Sequence, residues 1–396
     1  MRITTYAYPW DLARLGVDDT LRRMAGEGLD GLSLASTYHP IDALSPRAGT
    51  ARLFSSARGA VHFPARPDRY GRIRPSVSSP EIAQAWTEVA DRAPAHGLSV
   101  TAWTITTYQP WIVDAHPDTA RVLPSGDPVG SGVCPANPDV REYLASLCAD
   151  LVDGFGPEGI HLEGILQPGY DFDWLRPRVL VTVAPTAKAL LGLCFCASCT
   201  SRATDAGLDV ERLRRLVETT VAALLQADAA AAAEVGEVAV ALADHELHAF
   251  AVQHERAGIE ATAEIVARVD GRARFTSTVW TPIGSLLGAD HDQLLGELAA
   301  TIDGISAIRG FFADRNRRIV ELAAQAGRPL AVQSMVNRLT PPAAHDDATD
   351  TDRPPWGPEL VDAVELGADE VSIYNYGLHL EPDVAAIVDE VRAAFP

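Results

Sequence analysis

Gly159-Ile160-His161-Leu162-Glu163-Gly164 is the stretch on which both the fold and the chemistry turn. A short apolar run bounded by glycines reads as a strand. Side chains alternate across a strand, so His161 and Glu163 share one face and Ile160 and Leu162 the other. A strand that is apolar outside, polar inside and acidic at its end suits a parallel barrel, whose inner faces lead up to a wet mouth.

Working outward, comparable runs recur at 2–8, 31–37, 98–105, 272–280, 302–307, 329–335 and 369–376. Helical patterns at 18–27, 80–96, 139–153, 313–326 and 357–366 fall between them. Glycines end several helices just before a strand, as in Gly28-Leu29-Asp30-Gly31, His96-Gly97-Leu98 and Gly367-Ala368-Asp369, where a left-handed residue is needed. Strands alternating with helices eight times over predict an α/β fold, a (β/α)8 TIM barrel rather than an open sheet. We expect a single barrel domain over 1–396 with large insertions after strands 2 and 4. The first, 39–78, is rich in Pro, Arg and Gly. The second, 165–270, reads as a helical, Cys-rich inserted subdomain with a long helix from about Val210 to Glu234, and 237–243 reads as part of it. A polar loop, 339–356, follows strand seven. These excursions leave the C-terminal ends of strands, where barrel active sites are assembled.

The net charge of -20, with no basic run against it, argues against a nucleic-acid partner and fits a neutral or cationic ligand. No leader-like segment and no apolar run of membrane-spanning length is present, which predicts a cytoplasmic protein without a membrane partner. In that reducing compartment clustered cysteines favour metal over disulfide.

Four of the five cysteines flank Glu163: Cys134, which opens Cys134-Pro-Ala-Asn-Pro-Asp-Val-Arg141, and the trio in Cys194-Phe-Cys196-Ala-Ser-Cys199. Three sulfurs on one turn, joined by Cys134 if strands three and four are neighbours, make a tetrathiolate zinc site of structural type. No organic cofactor motif accompanies it. Cys148 falls inside a helical pattern and reads as a core residue.

The Cys-Pro-x-Asn-Pro-x-x-Arg run, the glutamate ending strand four and the Cys-aromatic-Cys-x-x-Cys run together resemble glycoside hydrolase family 42. Its members are clan A barrel enzymes of the retaining β-galactosidase type with a zinc held by four cysteines. The resemblance implies that Cys134, Cys194, Cys196 and Cys199 bind zinc, that Glu163 is the acid/base glutamate, and that the chain forms a homo-oligomer. Two positions depart from that family. Leu162 stands where the family has Asn, and Gln333 stands nearest the family's nucleophilic glutamate on strand seven. An amide cannot form the glycosyl ester.

A second carboxylate is therefore sought at Asp171 and Asp173, in Tyr170-Asp-Phe-Asp-Trp174, acting through water as an inverting enzyme requires. Asp11 and Asp244 are weaker choices, and Asp244-His245-Glu246-Leu247-His248 reads as a polar turn before a metal site. The structural alternative for Glu163 is an ion pair with Arg338. Aromatics at strand ends, Tyr8, Trp10, Tyr38, Trp103, Tyr108, Trp111, Trp280, Tyr374 and Tyr376, suit the apolar faces of sugar rings. His39, His161, Gln333, Asn337, Arg338 and Asn375 are the matching partners for sugar hydroxyls. The expected function is cleavage of a small glycoside or oligosaccharide with Glu163 as general acid/base. Rival expectations are a glycosidase-like protein that binds carbohydrate without hydrolysing it, and a metal-dependent sugar isomerase or epimerase.

Overall fold

Eight parallel strands, β1 (Arg2–Ala7), β2 (Gly31–Tyr38), β3 (Ser99–Ile105), β4 (Gly159–Glu163), β5 (Arg274–Thr278), β6 (Gly304–Ile308), β7 (Ala331–Asn337) and β8 (Glu370–Tyr374), pair in chain order. β1 pairs with β8 through Arg2↔Glu370 and with β2 through Thr4↔Gly31, so the sheet closes. The expected (β/α)8 barrel is therefore the fold of this chain. The computed structural model describes residues 1–48, 52–166, 180–181, 183–226, 236–279, 291–308, 313–337 and 365–395.

An aspartate device recurs where strands begin. Asp30, Asp303 and Asp369 immediately precede β2, β6 and β8, and each accepts a backbone N–H from a neighbouring strand. The donors are Ile3 at 2.8 Å, Phe275 at 2.9 Å and Val332 at 2.9 Å. A short acceptor at these positions satisfies N–H groups that the tilted register leaves over, and so pins each strand to its neighbour. These contacts lie at the N-terminal end of the barrel, the end associated with stability.

The excursions correct the sequence reading in detail. The one after β2 contains an antiparallel hairpin, Ile41–Ser45 with Arg52–Ser56, and Ala60–Val61 then pairs back on the end of β2. A further excursion after β3, residues 106–137, was not expected; it holds an antiparallel ribbon, Ala120–Val122 with Pro128–Val133. Pro128, Gly130 and Gly132 in that ribbon look like loop residues, which hides it. In the segment after β4, Val210–Gln226 and His245–Val269 are helices, and 237–243 falls mainly in a short helix, Gly236–Leu242. Leu190, Leu213 and Phe250 belong to an apolar cluster there, separate from the barrel's own. Among the described residues no helix is long and apolar enough to cross a membrane.

The His245–Val269 helix joins that segment to the barrel. Its Ala257 is buried among the cysteines. Its next residue, Gly258, lies so close to the carbonyl of Ile165 that a Cβ would sit 2.6 Å from it. The helix thus touches the chain two residues beyond Glu163, an approach only glycine permits.

Candidate active site and cysteine cluster

Register places the acid. Trp103 pairs with His161 and Ile105 with Glu163 across β3 and β4, so Trp103 and Glu163 project inward one level apart. The indole N–H of Trp103 donates to Glu163 Oε2 at 2.7 Å. Behind it, Thr106 N–H and Oγ1 donate to the Glu163 carbonyl at 2.9 and 2.7 Å, and Thr107 Oγ1 donates to the Gly164 carbonyl at 2.6 Å. These two threonines hold the end of β4 in place. Their local signal in the sequence is a polar Thr-Thr pair leaving a strand.

Glu163 keeps partial access to solvent, and among the described residues it has no ion-pair partner. Burial pushes its carboxyl up to about 7, against the Trp103 N–H, which stabilises the anion and pulls the other way. A carboxyl near 7 holds and releases a proton at neutral pH, the property a general acid/base needs.

His161 lies one layer below and does not touch Glu163 as a partner. Its Nε2 is 2.8 Å from Thr278 Oγ1 and its Nδ1 is 3.3 Å from Tyr6 Oη. Tyr6 in turn donates to Gln333 Oε1 at 2.8 Å, and Gln333 Nε2 donates to Glu370 Oε1 at 2.6 Å. Burial pushes His161 down to about 3, so it is a neutral element of this interior network. Gln333 belongs to the same network, buried and hydrogen-bonded at both ends of its amide, rather than to the mouth.

Above this layer stands an aromatic wall. The hydroxyls of Tyr8, Tyr38 and Tyr374 form a triangle with edges of 3.0, 2.8 and 3.1 Å. Their rings pack around Trp103, with Tyr38 edge-on at 4.9 Å and Tyr374 at 5.9 Å. Trp10 is stacked between Tyr8 and Phe54 of the hairpin, at 4.2 and 4.0 Å. His39 lies against Tyr38 and Tyr108. Met335, which sequence reading missed, joins this cluster from β7.

Other expected residues fall elsewhere. Trp111 packs on Tyr143 and donates to Gln109, and Tyr376 lies under the Arg47 guanidinium. Asn375 is buried, its amide oxygen accepting the Gly377 N–H. Asp11 is buried against Ser45, and burial raises it to about 6. Asp244 caps its helix by accepting the Leu247 N–H and pairs with Arg212. Asp171, Asp173, Trp280 and Arg338 lie outside the described residues, as does the side chain of Asn337.

The four cysteines converge on the flank. Cys134 follows the ribbon and precedes the Pro138–Phe155 helix, while Cys196 caps the Ala197–Asp205 helix that carries Cys199. All four are buried and reduced, with sulfurs within 4.8 Å of one another. Cys134 Sγ is 3.5 Å from Cys199 Sγ and 3.9 Å from Cys194 Sγ. Bonds of about 2.3 Å to a tetrahedral ion imply sulfur separations of about 3.8 Å, so the cluster fits a metal and not a disulfide. Val122 N–H donates to Cys194 Sγ at 3.5 Å, the kind of outer contact that supports a thiolate ligand.

No protein family and no curated protein matches this chain. Solved structures do. The PgaB (BpsB) glycoside hydrolase domain from Bordetella bronchiseptica superposes with a TM-score of 0.53 at 13% identity, over 98% of each chain. Alpha-L-fucosidase isoenzyme 2 from Paenibacillus thiaminolyticus gives 0.53 at 12% identity, over 99% of this chain and 49% of that one, so this chain spans about half its length. At such identities the likeness is one of fold, a barrel of the kind found in glycosidases. It does not extend to family 42 in particular, which rests on the motif residues alone.

Proposed function

We propose that this protein cleaves the glycosidic bond of a small glycoside or oligosaccharide, with Glu163 transferring the proton to and from the bridging oxygen. The observation that carries the reading is the Glu163 carboxyl itself. It ends β4 at the C-terminal mouth, is held through one oxygen by Trp103, and has its proton affinity raised to about 7. Oε2 is occupied by the indole, which leaves Oε1 to carry the proton. The aromatic wall beside it supplies apolar surface for a sugar ring. The barrel shared with solved glycosidase structures agrees with this reading but does not carry it.

The second carboxylate in the proposal remains Asp171 or Asp173, activating water. Cys134, Cys194, Cys196 and Cys199 would hold zinc in a closed tetrathiolate, which supplies rigidity and offers no open position for substrate. The chain's own residues use that rigidity through the His245–Val269 helix, whose Ala257 packs among the sulfurs and whose Gly258 lies against Ile165, two residues after β4.

A panel of aryl glycosides tests the reading. Glu163→Gln should lower kcat about 10²- to 10⁴-fold on any substrate the parent cleaves. Unchanged turnover would remove Glu163 from the mechanism. Metal analysis of protein purified without chelator should find one zinc per chain. The β7 segment Ala331–Asn337 carries no acid, and its Gln333 is tied into the interior. That favours, as a second reading, a barrel that binds sugar without cleaving it, which saturable binding with no turnover would support. The isomerase reading draws no support, since among the described residues the one convergent metal-capable group is the cysteine cluster.

A further inference from the structure

If the mouth takes a sugar, the tyrosine triangle bears on which one. Tyr8 donates to Tyr38 at 3.0 Å, and the remaining contacts close when Tyr38 donates to Tyr374 at 3.1 Å and Tyr374 to Tyr8 at 2.8 Å. Each oxygen has then given its only proton and used one of two acceptor positions. Three lone pairs are left over and no donor. Burial raises all three hydroxyls above the ordinary tyrosine range, so they stay protonated and the triangle stays neutral. Tyr8 and Tyr38 are buried, whereas Tyr374, like Glu163, is half-buried, so Tyr374 is the member of the triangle open to a ligand.

The surroundings have the same sign. The Glu163 carboxyl adds a negative charge felt at Tyr38 and Tyr374 only when it is ionised, toward and above pH 7. His39 is pushed down to about 4 by burial and His161 to about 3, so neither supplies positive charge. The guanidinium–ring contacts among the described residues lie on Phe54, Tyr376 and Phe195, not on these rings.

We propose that the Tyr8–Tyr38–Tyr374 triangle is a recognition subsite for a protonated amine, and that the substrate is a glycoside whose sugar bears a free amino group. This rests on the glycosidase reading and narrows it. An ammonium group has donors and no acceptor, so it pairs with an acceptor-only surface and leaves nothing unmatched. A sugar hydroxyl or an acetamido group in the same place brings an oxygen that finds no donor. One buried unpaired acceptor costs about tenfold to a hundredfold in affinity. Electron-rich ring faces nearby act in the same direction.

The test is the affinity of the full-length Glu163→Gln chain, which is expected to turn over substrate at most slowly and retains the triangle. The probes are tetramers of glucosamine, N-acetylglucosamine and glucose, linked as in chitosan, chitin and cellulose, at about pH 6 where the amine is protonated. The amino tetramer should bind at least tenfold more tightly than either other. Adding Tyr374→Phe or, independently, Tyr38→Phe should reduce that ratio severalfold, with circular dichroism and metal content unchanged in at least one of them. Equal or tighter binding of the acetylated or neutral tetramer overturns the proposal, as does a ratio that survives in a folded variant. Preferential binding of the amino tetramer without cleavage by the parent chain upholds the amine subsite but overturns its assignment to a substrate, together with the hydrolase. Cleavage of only acetylated or neutral tetramers upholds the hydrolase and overturns this proposal. No binding of any tetramer overturns both.

Discussion

Two carboxylates, Asp150 and Glu163, are held inside this protein by opposite means. Asp150, in the helix before β4, accepts the Arg66 backbone N–H at 2.9 Å, the Arg66 guanidinium, and the Tyr70 hydroxyl at 3.0 Å. Its lone pairs are satisfied and its charge is countered. Glu163 has a single side-chain donor, the Trp103 indole, and no cation among the described residues. A buried charge left short of partners is expensive, so chains keep one only where something else is gained. Full pairing fixes structure; incomplete pairing leaves an oxygen and a proton free to act on a ligand.

The largest expected effect separates the two by activity. Glu163→Gln should cost about 10²- to 10⁴-fold in kcat while the protein remains folded, whereas Asp150→Asn should leave kcat per folded molecule within about twofold. Comparable kcat losses in two folded variants would break the distinction. Stability should then invert the order. Asp150→Asn removes the charge facing a guanidinium and weakens two further bonds, and should lower unfolding free energy by about 2–4 kcal/mol in urea titrations. A loss under about 0.5 kcal/mol would show that the pairing is ornamental.

A smaller effect follows from linkage. The folded Glu163 carboxyl binds its proton more tightly than the unfolded one, 7 against 4.5. The folded state therefore carries the extra proton between those values, and the destabilisation from Glu163 is absent below about pH 4.5 and grows until about pH 7. Glu163→Gln should accordingly be neutral at low pH and stabilising by about 1–2 kcal/mol at pH 8, after discounting for the carboxyl's access to solvent. A stabilisation that does not change with pH would place its origin outside this ionisation. The smallest effect sharpens the role of the single donor. Trp103→Phe removes the N–H that favours the anion, so the alkaline limb of the pH–rate profile should move upward by about half a unit. A limb that moves downward, or not at all, would mean the indole is packing only.

Much of this could be read before the fold was known. All eight strands overlap the segments predicted for them, because inward-facing and outward-facing side chains alternate along each strand and a helical pattern separates it from the next. The ribbon at 120–133 left no such pattern, since short strands with Pro128 and two glycines resemble a loop. The same limit applies at the mouth. Tyr8, Tyr38 and Tyr374 were each legible as strand-end aromatics, yet nothing in their spacing says that three hydroxyls meet. Gln333 looked like a mouth residue by position on its strand, but barrel tilt sets it a layer lower, in line with Tyr6 and Glu370.

The sequence by itself determined the strand count, the face of β4 on which Glu163 stands and the proximity of three cysteines, because these depend on periodicity and local spacing. Only the tertiary structure decided that Cys134 completes the sulfur cluster, that Trp103 is the donor to Glu163, and that the tyrosines share their protons. Those facts depend on register and shear between strands far apart in the chain, which no local pattern encodes.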